Sequence, residues 1–138
     1  MPTYTVQSDV KALSVVTRLV APSFSQDTCH SFLKGAQARE FARELRYSSV
    51  ETALIIILGL PSIYTGIFAG VYTAYKQSII DKIIDYSDLY PGVYVKTIKS
   101  SYGTFYAVEP WTDTTKATVT LTNSDSATER VLDVTYKK

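Results

Sequence analysis

Residues 52–75 read TALIIILGLPSIYTGIFAGVYTAY, and the way this run folds decides how the rest of the chain is arranged. It holds 24 consecutive residues without Asp, Glu, Lys, Arg or His. About 20 apolar residues suffice to cross the roughly 30 Å hydrocarbon core of a bilayer, so length alone admits a spanning helix. Gly66 and Gly70 form a small-xxx-small pair that lets helix backbones approach closely. Tyr72 and Tyr75 suit a membrane boundary, whereas Tyr64 lies too near the middle of the run for that place.

Gly59 and Pro61 argue against one straight span. A proline inside a helix removes a hydrogen bond and clashes with the preceding turn, at a cost of about 3 kcal/mol. The expected shape is a short helix over 50–60, a kink, and a longer helix over 62–86. The end of that helix, QSIIDKIIDY, is amphipathic, with Ile79, Ile80, Ile83 and Ile84 on one side. Neither flank is rich in Lys or Arg, so no positive-inside asymmetry marks an anchor. A buried central helix, or an element that meets a membrane conditionally, fits better than a permanent anchor. The packing or membrane-contact candidates are Gly59, Pro61, Tyr64, Gly66, Gly70, Tyr72 and Tyr75.

Upstream, DVKALSVVTRLV (9–20) places Val10, Leu13, Val16 or Thr17, and Val20 at helical spacing after Ser8, and Ala21-Pro22 stops it. A second helix is expected over 28–47, capped by Asp27, with Phe32, Leu33, Ala36, Phe41 and Leu45 as its stripe. Gly35 is its weak point. Ser48 precedes Glu51 at capping-box spacing. Downstream, 93–100, 104–108, 116–122 and 128–136 alternate as strands, with turns at 101–103 and 123–126. Alternation sends Ala117, Val119 and Leu121 to one side. It separates Leu132, Val134 and Tyr136 from Val131, Asp133 and Thr135. The expected fold is α+β, with N-terminal helices, a buried apolar Pro-broken central helix and a C-terminal four-stranded antiparallel β-meander. The helical region is 1–86 and the β region 92–138, sharing one core.

Composition narrows the function. The chain of 138 residues is 46% hydrophobic, enough for a packed core, and carries a net charge of +1. An electrostatic nucleic-acid binder would show a basic excess. One cysteine, Cys29, makes no intramolecular disulfide. His30 follows it, and neighbours on a helix point about 100° apart, so the two form neither a dyad nor a metal site. No dinucleotide or P-loop glycine pattern is present. Asp81, Asp85 and Asp88 share one helical face and read as its solvated side. Trp111, beside Pro110, is a candidate contact for a partner or lipid headgroup, or else a lid over the sheet's core. No catalytic, cofactor-binding or metal-binding residue is assigned, no small-molecule substrate is identified, and the chain does not read as an enzyme. The first twenty residues lack the charged and apolar regions of a signal peptide.

The order of residues 53–74, then 92–98, then 118–136 resembles small exported proteins of Gram-positive bacteria. In these, a Gly-rich apolar helix precedes Tyr- and Thr-rich β-hairpins, and some are bacteriocin-like. The resemblance implies a secreted or cell-envelope location, with a cytoplasmic one as the alternative, and transfers no functional residue. The expectation is a non-enzymatic membrane-active protein whose apolar segment is the effector. The alternative is an interaction module that self-associates through its small-residue helix face or Tyr/Thr-rich sheet.

Overall fold

The structure, a computed structural model, describes residues 2–69 and 76–138. In chain order the strands are β1 (Thr3–Thr5), β2 (Ala12–Ala21) and β3 (Phe24–Lys34). Helices α1 (Gly35–Tyr47), α2 (Val50–Leu58), α3 (Ser62–Thr65) and α4 (Lys76–Leu89) follow. Strands β4 (Gly92–Ser100), β5 (Gly103–Trp111), β6 (Lys116–Thr118) and β7 (Thr128–Lys137) complete the chain. Five of them build one antiparallel sheet in the order β5-β4-β3-β2-β7, and β1 pairs with β6 in a separate ribbon.

The class α+β stands, but the N-terminal helices and the C-terminal meander do not. Residues 12–21 and 24–34 are two adjacent interior strands of the sheet, paired from Ala12–Leu33 to Ala21–Phe24. The physical reason is burial on both faces. Ala12 and Val16 pack under the helices while Leu13 and Val15 pack on the opposite side. A strand buried on both faces loses its period-2 signature, and its apolar spacing imitates a helix. The β-branched content of LSVVTRLV favours the strand. The C-terminal strands are split between the sheet and the ribbon, and β7 crosses to pair with β2.

The helices cover one face of the sheet. In α1, Ala38, Phe41, Ala42 and Leu45 recur at i, i+3, i+4 and i+7 and are buried. Helix α2 buries Val50, Ala53, Leu54, Ile57 and Leu58. Ser49, not Ser48, is its N-cap, with Oγ accepting from the backbone N–H of Thr52 at 3.1 Å. Gly59 ends it in the left-handed conformation at φ 68°, where a side chain would be strained. The expected long helix over 62–86 is broken. After α3 comes a single 3-10 turn, Gly66–Phe68, and then extended backbone at Ala69. Among the described residues no helix is long and apolar enough to cross a membrane.

The opposite face is covered only in part. The N-terminal segment and the β1–β6 ribbon lay Val6, Val10, Ala117 and Val119 over Leu13, Val15, Phe32 and Trp111. Val131 and Val134 both pack here, contrary to the alternation expected for β7. Val16 faces Asp133 and Thr17 faces Val131, so an irregularity takes up Leu132 and turns it to the helix side.

Candidate functional site

Where the ribbon stops short, a cleft of about 430 Å³ opens between it and the sheet. Its floor is His30 from β3 with Tyr94 and Lys96 from β4. Glu109 and Trp111 from β5 form one wall, and Lys116, Thr118 and Thr120 form the other. The aromatic rings stand side by side on the strands. Tyr94 stacks on its cross-strand neighbour Phe32 at 4.6 Å between centroids, and Trp111 meets Phe32 edge-on at 5.4 Å.

A chain of side-chain hydrogen bonds runs through this floor, and its directions can be worked out. Thr17 Oγ1 donates to Glu129 Oε2 at 2.7 Å, which uses its only proton. The 3.0 Å contact between Thr17 Oγ1 and His30 Nε2 therefore has the imidazole N–H as donor. Burial, aided by the charge of Lys96, pushes the His30 imidazole down to about 4, so at neutral pH it holds one ring proton. That proton is on Nε2, which leaves Nδ1 a bare acceptor. Tyr94 Oη fills it by donating at 2.5 Å. The order is Tyr94 to His30 to Thr17 to Glu129, and the second carboxylate oxygen of Glu129 accepts from the Thr122 backbone N–H at 3.1 Å. Burial raises the Tyr94 phenol, so it stays protonated and the order holds.

The site is invisible as long as residues 9–20 and 28–47 are expected to be helices. Only as antiparallel strands do β2 and β3 bring Thr17 and His30 onto one face with Tyr94. Cys29 points to the opposite face from His30, and burial pushes its thiol up to about 12. The signal available was a polar residue at alternate positions in otherwise apolar runs, Thr17 in VVTRLV and His30 in CHSFL.

The sequence candidates are dispersed. Trp111 is the lid: it is 6% exposed, and its indole N–H donates to the Lys116 carbonyl at 2.9 Å. Tyr64 lies across the sheet on the helix side, with Oη donating to the Leu132 carbonyl at 3.1 Å. Gly59 caps α2, Pro61 precedes α3, and Gly66 opens the 3-10 turn with open space beside it. Gly70, Tyr72 and Tyr75 lie outside the described residues. Asp88 reaches Arg39 at 3.5 Å, and Asp81 accepts from Gln77. Among the described residues no three His, Cys, Asp or Glu side chains gather as metal ligands would.

A second surface stands at the end of the sheet where the β2–β3 and β4–β5 hairpins turn. Phe24 and Tyr102 meet edge-to-face at 5.7 Å across the two turns. Phe105 folds back so that its ring tip is 3.9 Å from where a Cβ on Gly103 would stand. Tyr102 is 71% exposed, Phe105 52% and Val20 53%. Lys99 lies two residues before the turn, with Nζ donating to the Ala69 carbonyl. No protein family, curated protein or solved structure matches the chain.

Proposed function

We propose that the protein is a non-enzymatic membrane-surface module that docks through the aromatic tips of its two adjacent hairpins. The observation that carries the reading is the exposed Tyr102 and Phe105 at the β4–β5 tip, with the half-buried ring of Phe24 meeting Tyr102 across the two turns. Aromatic rings with a polar end suit the headgroup boundary of a bilayer. A contiguous exposed apolar patch on a small protein marks an interaction surface. A secreted or envelope location fits this reading.

The contact moves from the apolar segment to the tips for an energetic reason. Ala53, Leu54, Ile57, Leu58 and Phe68 are core. Each large side chain contributes roughly 1.5–3 kcal/mol by burial, so deploying the segment would remove stability comparable to the whole fold's. The tips are exposed already and lose nothing by contact.

The test is flotation with phosphatidylcholine vesicles, with and without phosphatidylglycerol. The native chain floats, and the double variant Tyr102→Ser, Phe105→Ser stays in the dense fraction with an unchanged thermal midpoint. Failure of the native chain to float on either composition, or equal flotation of the variant, removes the proposal. Light scattering separates the reading in which a second copy covers the patch: there the native chain is dimeric and the double variant monomeric.

A further inference from the structure

The cleft beside the ribbon is independent of the hairpin tips and has chemistry of its own. Its polar floor has a fixed sense. Because Tyr94 Oη gives its proton to His30 Nδ1, the phenol oxygen offers lone pairs only and can receive a donor but not supply one. Glu109 is the cross-strand partner of Tyr94 on the same face and lines the cleft beside it. That corner is therefore an acceptor corner with a negative charge. Lys96 comes from the next same-face position on β4, so an ammonium stands diagonally across from Glu109. Among the described residues neither Lys96 nor Glu109 makes an ion pair. At the rim, Lys116 and Asp113 repeat the pairing of signs at 3.9 Å.

We propose that this cleft binds a small zwitterion, the ammonium and carboxylate of a free amino acid or a short peptide. The ammonium sits against Glu109 and Tyr94 Oη, and the carboxylate against Lys96. A ligand of one sign would meet as much repulsion as attraction here, whereas a zwitterion matches both ends. The apolar part of the ligand lies along Pro110 and the Trp111 edge. The cleft's volume falls in the range of small-ligand pockets. The hydrogen-bond chain behind Tyr94 has a role in this: Glu129, through Thr17 and His30, holds the phenol proton turned away from the ligand.

The experiment is a titration of the isotope-labelled full chain followed by amide and indole shifts. The probes are L-leucine, its decarboxylated amine, its deaminated acid, and dileucine. L-leucine or dileucine shifts the Trp111 indole N–H and residues of β4 and β5. Each singly charged analogue binds at least about tenfold more weakly, the loss expected for one charge-assisted hydrogen bond. Glu109→Gln lowers L-leucine affinity by about the same factor and leaves the acid analogue unaffected, and Lys96→Gln does the converse. Both side chains project from the strands into the cleft, so the variants keep the fold, which circular dichroism checks. Tighter binding of dileucine assigns the site to peptides, and tighter binding of L-leucine to free amino acids. No shift at millimolar zwitterion, or equal binding of a singly charged analogue, overturns the proposal. Neither variant touches the hairpin tips, so vesicle flotation is unchanged by them.

Discussion

The two faces of the central sheet carry the same kinds of polar side chain and differ in how far they link them. On the helix-covered face, Ser14 Oγ, Thr97 Oγ1 and Tyr106 Oη are buried, and among the described residues they have no hydrogen-bond partner. On the cleft face, the tyrosine, histidine and threonine of the same strands are joined into one directed chain ending on Glu129. An unpartnered buried hydroxyl costs about 1–3 kcal/mol, so the helix face bears a penalty that the cleft face avoids. On the helix side the polar side chains that are linked form separate pairs, Arg18 with Asp27 and Thr135 with Asp133, whereas the chain through His30 joins residues of four strands in one direction. The helix face is built for burial, and the cleft face is built to hold one side chain in one orientation.

The largest expected effect breaks the helix face. Phe41 is 1% exposed and packs between α1 and the sheet, among the bulkiest fully buried side chains. Phe41→Ala removes its apolar surface and leaves a cavity that α1 cannot close without leaving α4. Denaturant unfolding is expected to show a loss of about 3–5 kcal/mol with little change in slope. A loss below about 1 kcal/mol would mean that the helices contribute far less than the burial implies.

A smaller and pH-dependent effect tests the cleft face. The unfolded imidazole takes up a proton near its ordinary 6.5, and the folded His30 takes it up only near 4 because burial disfavours the charged ring. Between those values the unfolded chain binds more protons, so stability falls as pH drops from about 6.5 to about 4. The full difference is up to about 3 kcal/mol. His30→Gln keeps a side-chain donor for Thr17 and removes the titration. Its stability profile is expected to be flatter over this window, as measured by urea unfolding at a series of pH values. Parallel profiles for native and variant chains would show that His30 is not buried in neutral form.

The legibility of the sequence follows the same division. Hairpins at 92–111 were readable because half-exposed strands alternate, but of the stripe expected for the second helix only Phe41 and Leu45 lie on the buried side of α1, since Ala36 is exposed and Phe32 and Leu33 belong to β3. Strands β2 and β3 were not, since burial on both faces hides the period and leaves an apolar spacing that helices share. The cleft was lost with them, because its chain joins residues as distant in sequence as Thr17 and Glu129. Gly59 and Pro61 were readable as a break, since one needs a positive φ and the other forbids a continued helix. The break after Gly66 carried no comparable mark, and there the long helix predicted over 62–86 fails. For Trp111 the pattern admits both an anchor and a lid. Pattern alone does not show that its indole N–H closes on the Lys116 carbonyl.

The smallest expected effect sharpens the comparison at the seam between lid and sheet. Gly92 opens β4 opposite Trp111, and a Cβ placed on it would stand 2.6 Å from Trp111 Cε3 and 3.0 Å from the Leu33 carbonyl oxygen. The glycine is needed here for close approach: the indole lies directly on its backbone. In Gly92→Ala the backbone oxygen of Leu33 cannot give way, so the indole must lift. Overpacking of this kind costs about 1–3 kcal/mol. The chain has one tryptophan, so its emission reports this seam alone. A red shift with a modest fall in stability is expected, together with weakened zwitterion binding, since the lifted ring no longer walls the cleft. An unshifted emission maximum would place the strain on Thr114, whose Cγ2 also stands 3.0 Å from the new methyl, and would free the lid from any dependence on Gly92.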